Sequence, residues 1–290
     1  MAGIYEERRS RAAVWCQRLA IFLVPFFILI ILLYRSSNID PLQLFVLIST
    51  GLIVALLAIV FGLRAISELW TRGYRGGSQV VRGLVITALV LLPFGYHVFL
   101  ALQFPLANDV TTDTFNPPAY VNAGEVRNVP NGKGINPIIV YTDEYADKIV
   151  SAYPKLRSRR YPAGADRVLE AVRNIITENE WRISGSVGIP ASNVDADGSV
   201  DETAQTESEE TLEDNAPSPD DIYIEIVEQT LVFGFESDVV IRIISEAQNT
   251  LVDVRSSSRW GKHDFGYNAK LIESFLNQLD TSLLGIAGEG

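Results

Sequence analysis

The densest run of polar side chains lies near the C-terminus, between Val252 and Lys270. Read as a strand, it places Asp253, Arg255, Ser257 and Arg259 on the face opposite Val252 and Val254, because successive side chains alternate. Gly261 then turns the chain into a closing helix, on which Asn268 lies one turn beyond Asp264. Arginines, aspartates, a serine and an asparagine can thus converge at a strand-to-helix corner. An arginine pair suits bidentate capture of a carboxylate or phosphate, as in an anionic headgroup beside a membrane. The same residues also allow a structural reading: Arg255 and Arg259 pair with Asp253 and Asp238, and Asp264 only caps its helix. The polar cluster to be located is therefore Arg242, Asp253, Arg255, Arg259, Asp264 and Asn268, as ligand contacts or as an internal ion-pair network.

Other chemistries find less support. Acid–base work needs a carboxylate of shifted pKa, and Asp253 or Asp264 beside His263 is the one candidate trio. The sequence has no serine elbow, no metal-ligand His/Cys cluster and no phosphate-cradling glycine loop. No catalytic residue, metal or cofactor is expected. Asp195, Asp197, Asp201 and Glu202 faintly resemble a calcium loop but lack the full ligand spacing; a solvated loop is the other reading.

These residues sit in the acidic part of a divided chain. The net charge is −11 over 290 residues, yet residues 1–102 carry nine arginines against four acids, +5, which leaves −16 for the remainder. A nucleic-acid binder and a disulfide-stapled module are excluded: no basic domain exists, and Cys16 is the single cysteine.

The N-terminal part reads as membrane. Residues 19–34, 41–63 and 83–108 are uncharged runs, and a hydrocarbon core needs about 20 helical residues. Trp15 and Arg18 extend the first by interfacial anchoring and snorkelling. No small-residue cleavage site follows Tyr34, so an uncleaved helix is expected there and not a signal peptide. Spans of about 17–36, 42–63 and 82–104 form a membrane domain over residues 1–108. Arginines 8, 9, 11 and 18 flank the first span, and 64, 72, 75 and 82 fill the second loop. By the positive-inside rule the N-terminus is cytoplasmic and the C-terminal domain exported, into the periplasm of a Gram-negative bacterium. His97 lies within the third span. It is a hydrogen-bonded packing residue or a functional group, although one histidine without acidic or lysine partners makes a poor proton relay. A transporter or channel is accordingly disfavoured.

Residues 109–157 read as a tether and lead-in, with Pro117 and Pro118 favouring extended backbone. Residues 158–284 form the folded domain. Val168, Leu169, Val172, Ile175 and Ile176 mark an amphipathic helix over about 164–179. A strand is expected over 181–187. Residues 190–221 form an acidic insert, with eleven acids and no Lys or Arg from Asp195 to Asp221, expected to be disordered. Strands follow over 222–229, with a continuation over 230–235 past a bulge, then around Val239–Ile243 and Leu251–Val254. A helix over 264–284 closes the chain, with Asp264 as its N-cap. The fold class is α+β: three transmembrane helices, then an antiparallel sheet packed by two helices in the order strand, helix, strand, strands, helix.

The C-terminal motif resembles the signature of the bacterial domain-of-unknown-function family 1499: Val252, Asp253, Val254, Arg255 and Ser256, then Arg259, Gly261, Asp264, Gly266 and Asn268. Phe235, Asp238, Val239 and Arg242 resemble its preceding strand, and Asp113, Pro117 and Pro118 its opening segment. The resemblance covers about residues 109–283. Some relatives carry a cysteine pair near the opening segment, absent here. The resemblance implies no known activity. Two functions stay open: a membrane-anchored envelope protein whose periplasmic domain binds a lipid-like or anionic ligand or a protein partner, or a hydrolase or transferase acting on envelope material. Partners expected are the lipid bilayer and a lipid or envelope protein, not nucleic acid.

Overall fold

The computed structural model describes residues 8–127, 135–189 and 221–284. The chain divides into two compact units that meet in sequence between Leu102 and Gln103.

The first unit is three helices, α1 (Arg11–Arg35), α2 (Pro41–Arg72) and α3 (Gly77–Gln103), each long and apolar enough to cross a bilayer. Their ends follow from local chemistry. Ser10 Oγ accepts the Ala13 N–H at 3.1 Å and caps α1. Pro41 opens α2, where its missing donor costs nothing, and Gly73 at φ 65° ends it. α2 continues beyond its uncharged run, and this extension carries the Arg64–Glu68 pair one turn apart at 3.2 Å.

Small residues bring these helices together. Gly51, Ala55, Ala58, Gly62 and Ala65 recur along α2 at alternating steps of four and three, and all are buried. Ala13, Cys16 and Ala20 answer on α1, and Val80, Gly83 and Thr87 on α3. In lipid, apolar burial gives helices no reason to associate, so close van der Waals approach must. Ser10 N–H donates to the Arg75 carbonyl and Arg75 N–H to the Arg8 carbonyl, at 3.0 and 3.1 Å. The two arginine groups therefore share one end of the unit. His97 lies exposed on α3, its Nδ1 2.7 Å from the Pro93 carbonyl of its own helix.

The second unit is a mixed α+β fold. Its strands are β1 (Asp109–Thr111), β2 (Arg159–Tyr161), β3 (Arg182–Val187), β4 (Ile222–Gln229), β5 (Glu236–Ser245) and β6 (Thr250–Ser258). Its helices are α4 (Ala123–Arg127), α5 (Asp143–Ala152), α6 (Ala165–Glu178) and α7 (Tyr267–Leu284). The sheet is antiparallel in the order β1-β6-β5-β4-β3, with β2 also on β6. Alternation sorts its faces. Ile222, Ile224, Ile226, Val239, Ile241, Ile243, Val252 and Val254 form one core with α6 and α7, which contribute Val172, Ile176, Ile272, Phe275 and Leu279.

The other face carries Glu225, Asp238, Arg242, Asp253, Arg255 and Ser257, and these are buried too. The cover is the segment expected as a tether. β1 pairs with β6 in the register Asp109–Ser257, and Tyr120, Val121, Asn122 and Arg127 all bond to sheet residues. Two further expectations change. Thr230 and Phe235 do not continue β4; they close a hairpin turn, with Thr230 N–H on the Phe235 carbonyl at 3.0 Å and Gly234 at φ 75°. α7 starts at Tyr267, three residues late, because a turn over 264–267 precedes it. The expected disorder and calcium alternative for residues 190–220 lie outside the described residues.

Candidate functional site

Each arginine of the polar face meets a carboxylate. Arg255 lies on β6 and Asp109 on β1, and they form a two-pronged pair, Nε to Oδ1 and Nη2 to Oδ2, both 3.0 Å. The remaining donors of Arg255 reach the Pro118 and Ile139 carbonyls at 3.3 and 2.7 Å. Tyr120 and Tyr141 lie under its guanidinium, 4.9 and 5.2 Å from ring centre to Cζ. Burial alone would pull Arg255 down, but the Asp109 charge and hydrogen bonds, with Tyr120 and Tyr141, together outweigh it and hold the guanidinium above its usual range. Burial, then Asp109, pushes the Tyr120 and Tyr141 hydroxyls up, so both rings stay neutral.

Asp238 takes two arginines. Arg127 reaches it from α4 with Nε at 2.8 Å and also donates to the Ser257 hydroxyl and carbonyl. Arg259 approaches from just past the end of β6, Nη2 to Oδ1 at 2.7 Å, and also pairs with Glu236. The third centre is Asp253. Arg242 stands directly opposite it in the β5–β6 ladder, Nη2 to Oδ2 at 2.8 Å, and also reaches Asp113 at 3.1 Å. Thr112 donates to Asp253 at 3.2 Å, and so does the Ser158 hydroxyl.

The expected Arg259–Asp238 pair is present, but the expected Arg255–Asp253 pair is not. Residues two apart on one strand face the same way but stand well separated along it, whereas cross-strand neighbours are in reach. Asp253 therefore takes Arg242, and Arg255 takes β1.

Asp264 and Asn268 do not join this group. They lie at the start of α7, on the helix side of the sheet. Asp264 accepts the Gly266 and Asn268 N–H groups at 2.9 and 3.1 Å. Burial raises its pKa, and those two N–H groups draw it back in part. The Asn268 amide accepts from Ser256 at 2.8 Å and donates to Ser258 and to the Asn108 carbonyl at 2.9 and 3.1 Å. It joins α7, β6 and the residues leading into β1. Gly266, at φ 76°, is required here: a Cβ would meet the Phe104 ring at 2.8 Å. The convergence expected at one corner is thus two clusters on opposite faces.

The expected trio is divided between the two faces. Asp253 holds Arg242 on the polar face, whereas His263 and Asp264 lie together before α7, the Nδ1 of His263 accepting the Phe265 N–H at 3.0 Å and both Asp264 oxygens holding backbone N–H groups. Among the described residues no group of three or more His, Cys, Asp and Glu side chains is placed to hold a metal.

Sequence reasoning missed Asp109, Arg127 and Glu225. Asp109 and Arg127 gave no signal, since each lies in an element too short to show a period and more than a hundred residues from its partner. Glu225 could have been found, as the one charge among the polar-face positions inside β4 that alternate with isoleucines. It accepts the Val121 and Asn122 N–H groups at 2.6 and 3.0 Å and pins the covering segment.

Two grooves open on the surface of this unit. One, about 550 Å³, lies between α6 and α7 and is lined mostly by amides and hydroxyls such as Asn174, Asn277 and Gln278, with Glu178 as its charged member. The other, about 420 Å³, runs between residues 111–115 and residues 149–160, above Thr112 and Ser158.

No curated protein and no solved structure matches the chain. The family described as protein of unknown function, DUF1499, matches residues 109–279, more than half of the chain. The match opens on Asp109, the carboxylate that holds Arg255, and contains every member of both polar clusters except Asn108. The chain belongs to the DUF1499 family.

Proposed function

We propose that this is a non-catalytic binding module of a bacterial envelope. Three helices anchor it in the inner membrane with the N-terminus in the cytoplasm, and the α+β unit works in the periplasm. There it binds a lipid-like or anionic ligand or a protein partner. The observation that carries this reading is the neutralisation of the polar face. Arg127, Arg242, Arg255 and Arg259 all pair with carboxylates beneath a covering segment. A buried, paired guanidinium is poorly placed to capture an anion from solution. The cluster is therefore a staple between sheet and cover, and recognition belongs to the outer surface. The orientation is supported by the shared end of the arginines at 8, 9, 11, 64, 72 and 75, since retained loops carry the positive charge.

The test has two parts. Native mass spectrometry of the full chain, extracted from the membranes that express it, should show a bound small molecule or a stoichiometric protein. A clean mass in every preparation would remove the ligand-binding reading. In a Cys16→Ser background, Asn116→Cys should react with an impermeant maleimide added to spheroplasts, and Arg72→Cys should not. The opposite labelling would reverse the orientation.

A further inference from the structure

The acidic unit holds one concentrated basic patch. Lys155, Arg157, Arg159 and Arg160 fall within six residues, in a region of the chain whose net charge is −16. Lys155 and Arg157 are exposed, and neither faces a carboxylate among the described residues. Arg157 Nε only reaches the Pro154 carbonyl, at 3.2 Å. Arg160 pairs with Glu246 at 3.1 Å, but at 60% and 33% side-chain exposure. Such a surface pair is held weakly and can be exchanged for a better anion.

This patch borders the 420 Å³ groove between residues 111–115 and 149–160, whose wall includes Arg157 and Arg160. The facing wall is three threonines and Asp113, whose carboxylate is held by Arg242 at 3.1 Å, ending in Phe115. Phe115 is 96% exposed and Val150 49% exposed, and both line the groove. The floor is rigid: Thr112 and Ser158 both donate to Asp253, which Arg242 holds from below. A phenylalanine left almost wholly in water beside Lys155 and Arg157, which pair with no carboxylate among the described residues, matches a ligand with an anionic head and an apolar tail.

We propose that this groove binds an anionic phospholipid, its phosphate on Lys155, Arg157 and Arg160 and its glyceryl and proximal acyl part against Phe115 and Val150. The proposal rests on the binding-module reading and gives it a place and a ligand class. Phosphate alone would leave Phe115 exposed, and a neutral lipid would leave the cations unmatched.

The experiment uses the full chain in nanodiscs of phosphatidylcholine, with or without phosphatidylglycerol. Phe115→p-benzoylphenylalanine is photolysed and the adduct read by mass spectrometry. Val140→p-benzoylphenylalanine, 77% exposed and outside the groove, is the control. The expected result is a phosphatidylglycerol adduct at position 115, about tenfold weaker in a Lys155→Glu/Arg157→Glu background, and none at 140. Adducts equal in both lipids, or insensitive to the charge reversal, would overturn it, and so would a protein adduct at position 115. Because labelling is read at one position, the arginines of the helical unit do not contribute. An unlabelled position 115 together with a bound ligand in the native mass would sink the groove alone. An unlabelled position with a clean mass would sink both readings.

Discussion

Asp109 and Arg255 stand 146 residues apart in the chain and meet through two parallel bonds of 3.0 Å, with both side chains almost wholly out of water. The pair locks the first strand of the unit to its last. Removing one member of a buried pair leaves the other charge uncompensated, at a cost of about 3–5 kcal/mol. Asp109→Ala should therefore destabilise the α+β unit by that amount. The measurement is chemical denaturation of the full chain, followed by Trp181 and Trp260 after Trp15 and Trp70 are replaced by Phe. Asp109→Leu combined with Arg255→Met should recover most of the loss, since an apolar pair of similar volume carries no desolvation cost. If Asp109→Ala alone is silent, the pair does not hold the cover in place.

The same geometry sets where the unit begins. A fragment starting at residue 120 lacks β1, the Asp109 carboxylate, the Thr112 and Asp113 partners of Asp253 and Arg242, and the Asn108 carbonyl that Asn268 uses. A fragment over 104–284 keeps them all. Proton–nitrogen NMR spectra of the two should separate cleanly, dispersed for the longer and collapsed for the shorter. A well-dispersed spectrum from the shorter fragment would show the covering segment to be dispensable.

Glu228 offers a test by pH. Its Oε1 accepts the Tyr267 hydroxyl at 2.6 Å, while Oε2 is buried without a partner. Burial pushes its pKa above the usual carboxylate range, and the tyrosine bond offsets this only in part. A raised folded pKa means the native state holds its proton longer than the unfolded chain. The protonated form thus favours folding below the unfolded value of about 4.3, and that advantage is lost as pH rises through the folded value. Glu228→Gln cannot titrate. Its melting temperature should gain on that of the parent as pH is raised from about 4 to about 8. A constant difference over that range would show Glu228 to be ionised and solvated in the native state.

Patterned features were legible and paired features were not. The isoleucine alternation of β4, the helical stripe of α6 and the long apolar runs of α1 to α3 each repeat a local period, so the chain displays them without its partners. Asp253 and Arg255 could be placed on one strand face for the same reason. What covers that face could not, because Asp109 and Arg127 reach it from a three-residue strand and a five-residue helix, too short to display a period. The face was polar, and polar alternation ordinarily marks a solvated side of an antiparallel sheet. Here the opposite charges are supplied by a segment rich in proline and threonine, whose composition reads as a linker. The motif held the right residues, and their roles depended on partners that the motif does not contain.

The helical unit can be tested through its one cysteine. Cys16 is fully buried, against α2 and α3. A Cβ on Gly83 would lie 2.7 Å from its Sγ and 3.0 Å from its backbone carbon, and one on Gly62 would lie 2.6 Å from the Leu84 side chain. Flexible Leu84 can give way; the α1 backbone cannot without moving the helix. Gly83→Val should therefore separate α1 from α3, while Gly62→Ala is better tolerated. Gly95 has nothing within 4 Å, so Gly95→Ala adds a methyl group to open space and should be silent. The readout is the rate of maleimide reaction with Cys16 in micelles: slow in the parent chain and Gly95→Ala, and several-fold faster in Gly83→Val. Rapid reaction in the parent chain would mean that the small-residue stripes of α1 and α3 are not in contact, and that the close approach at Gly83 does not hold the unit together.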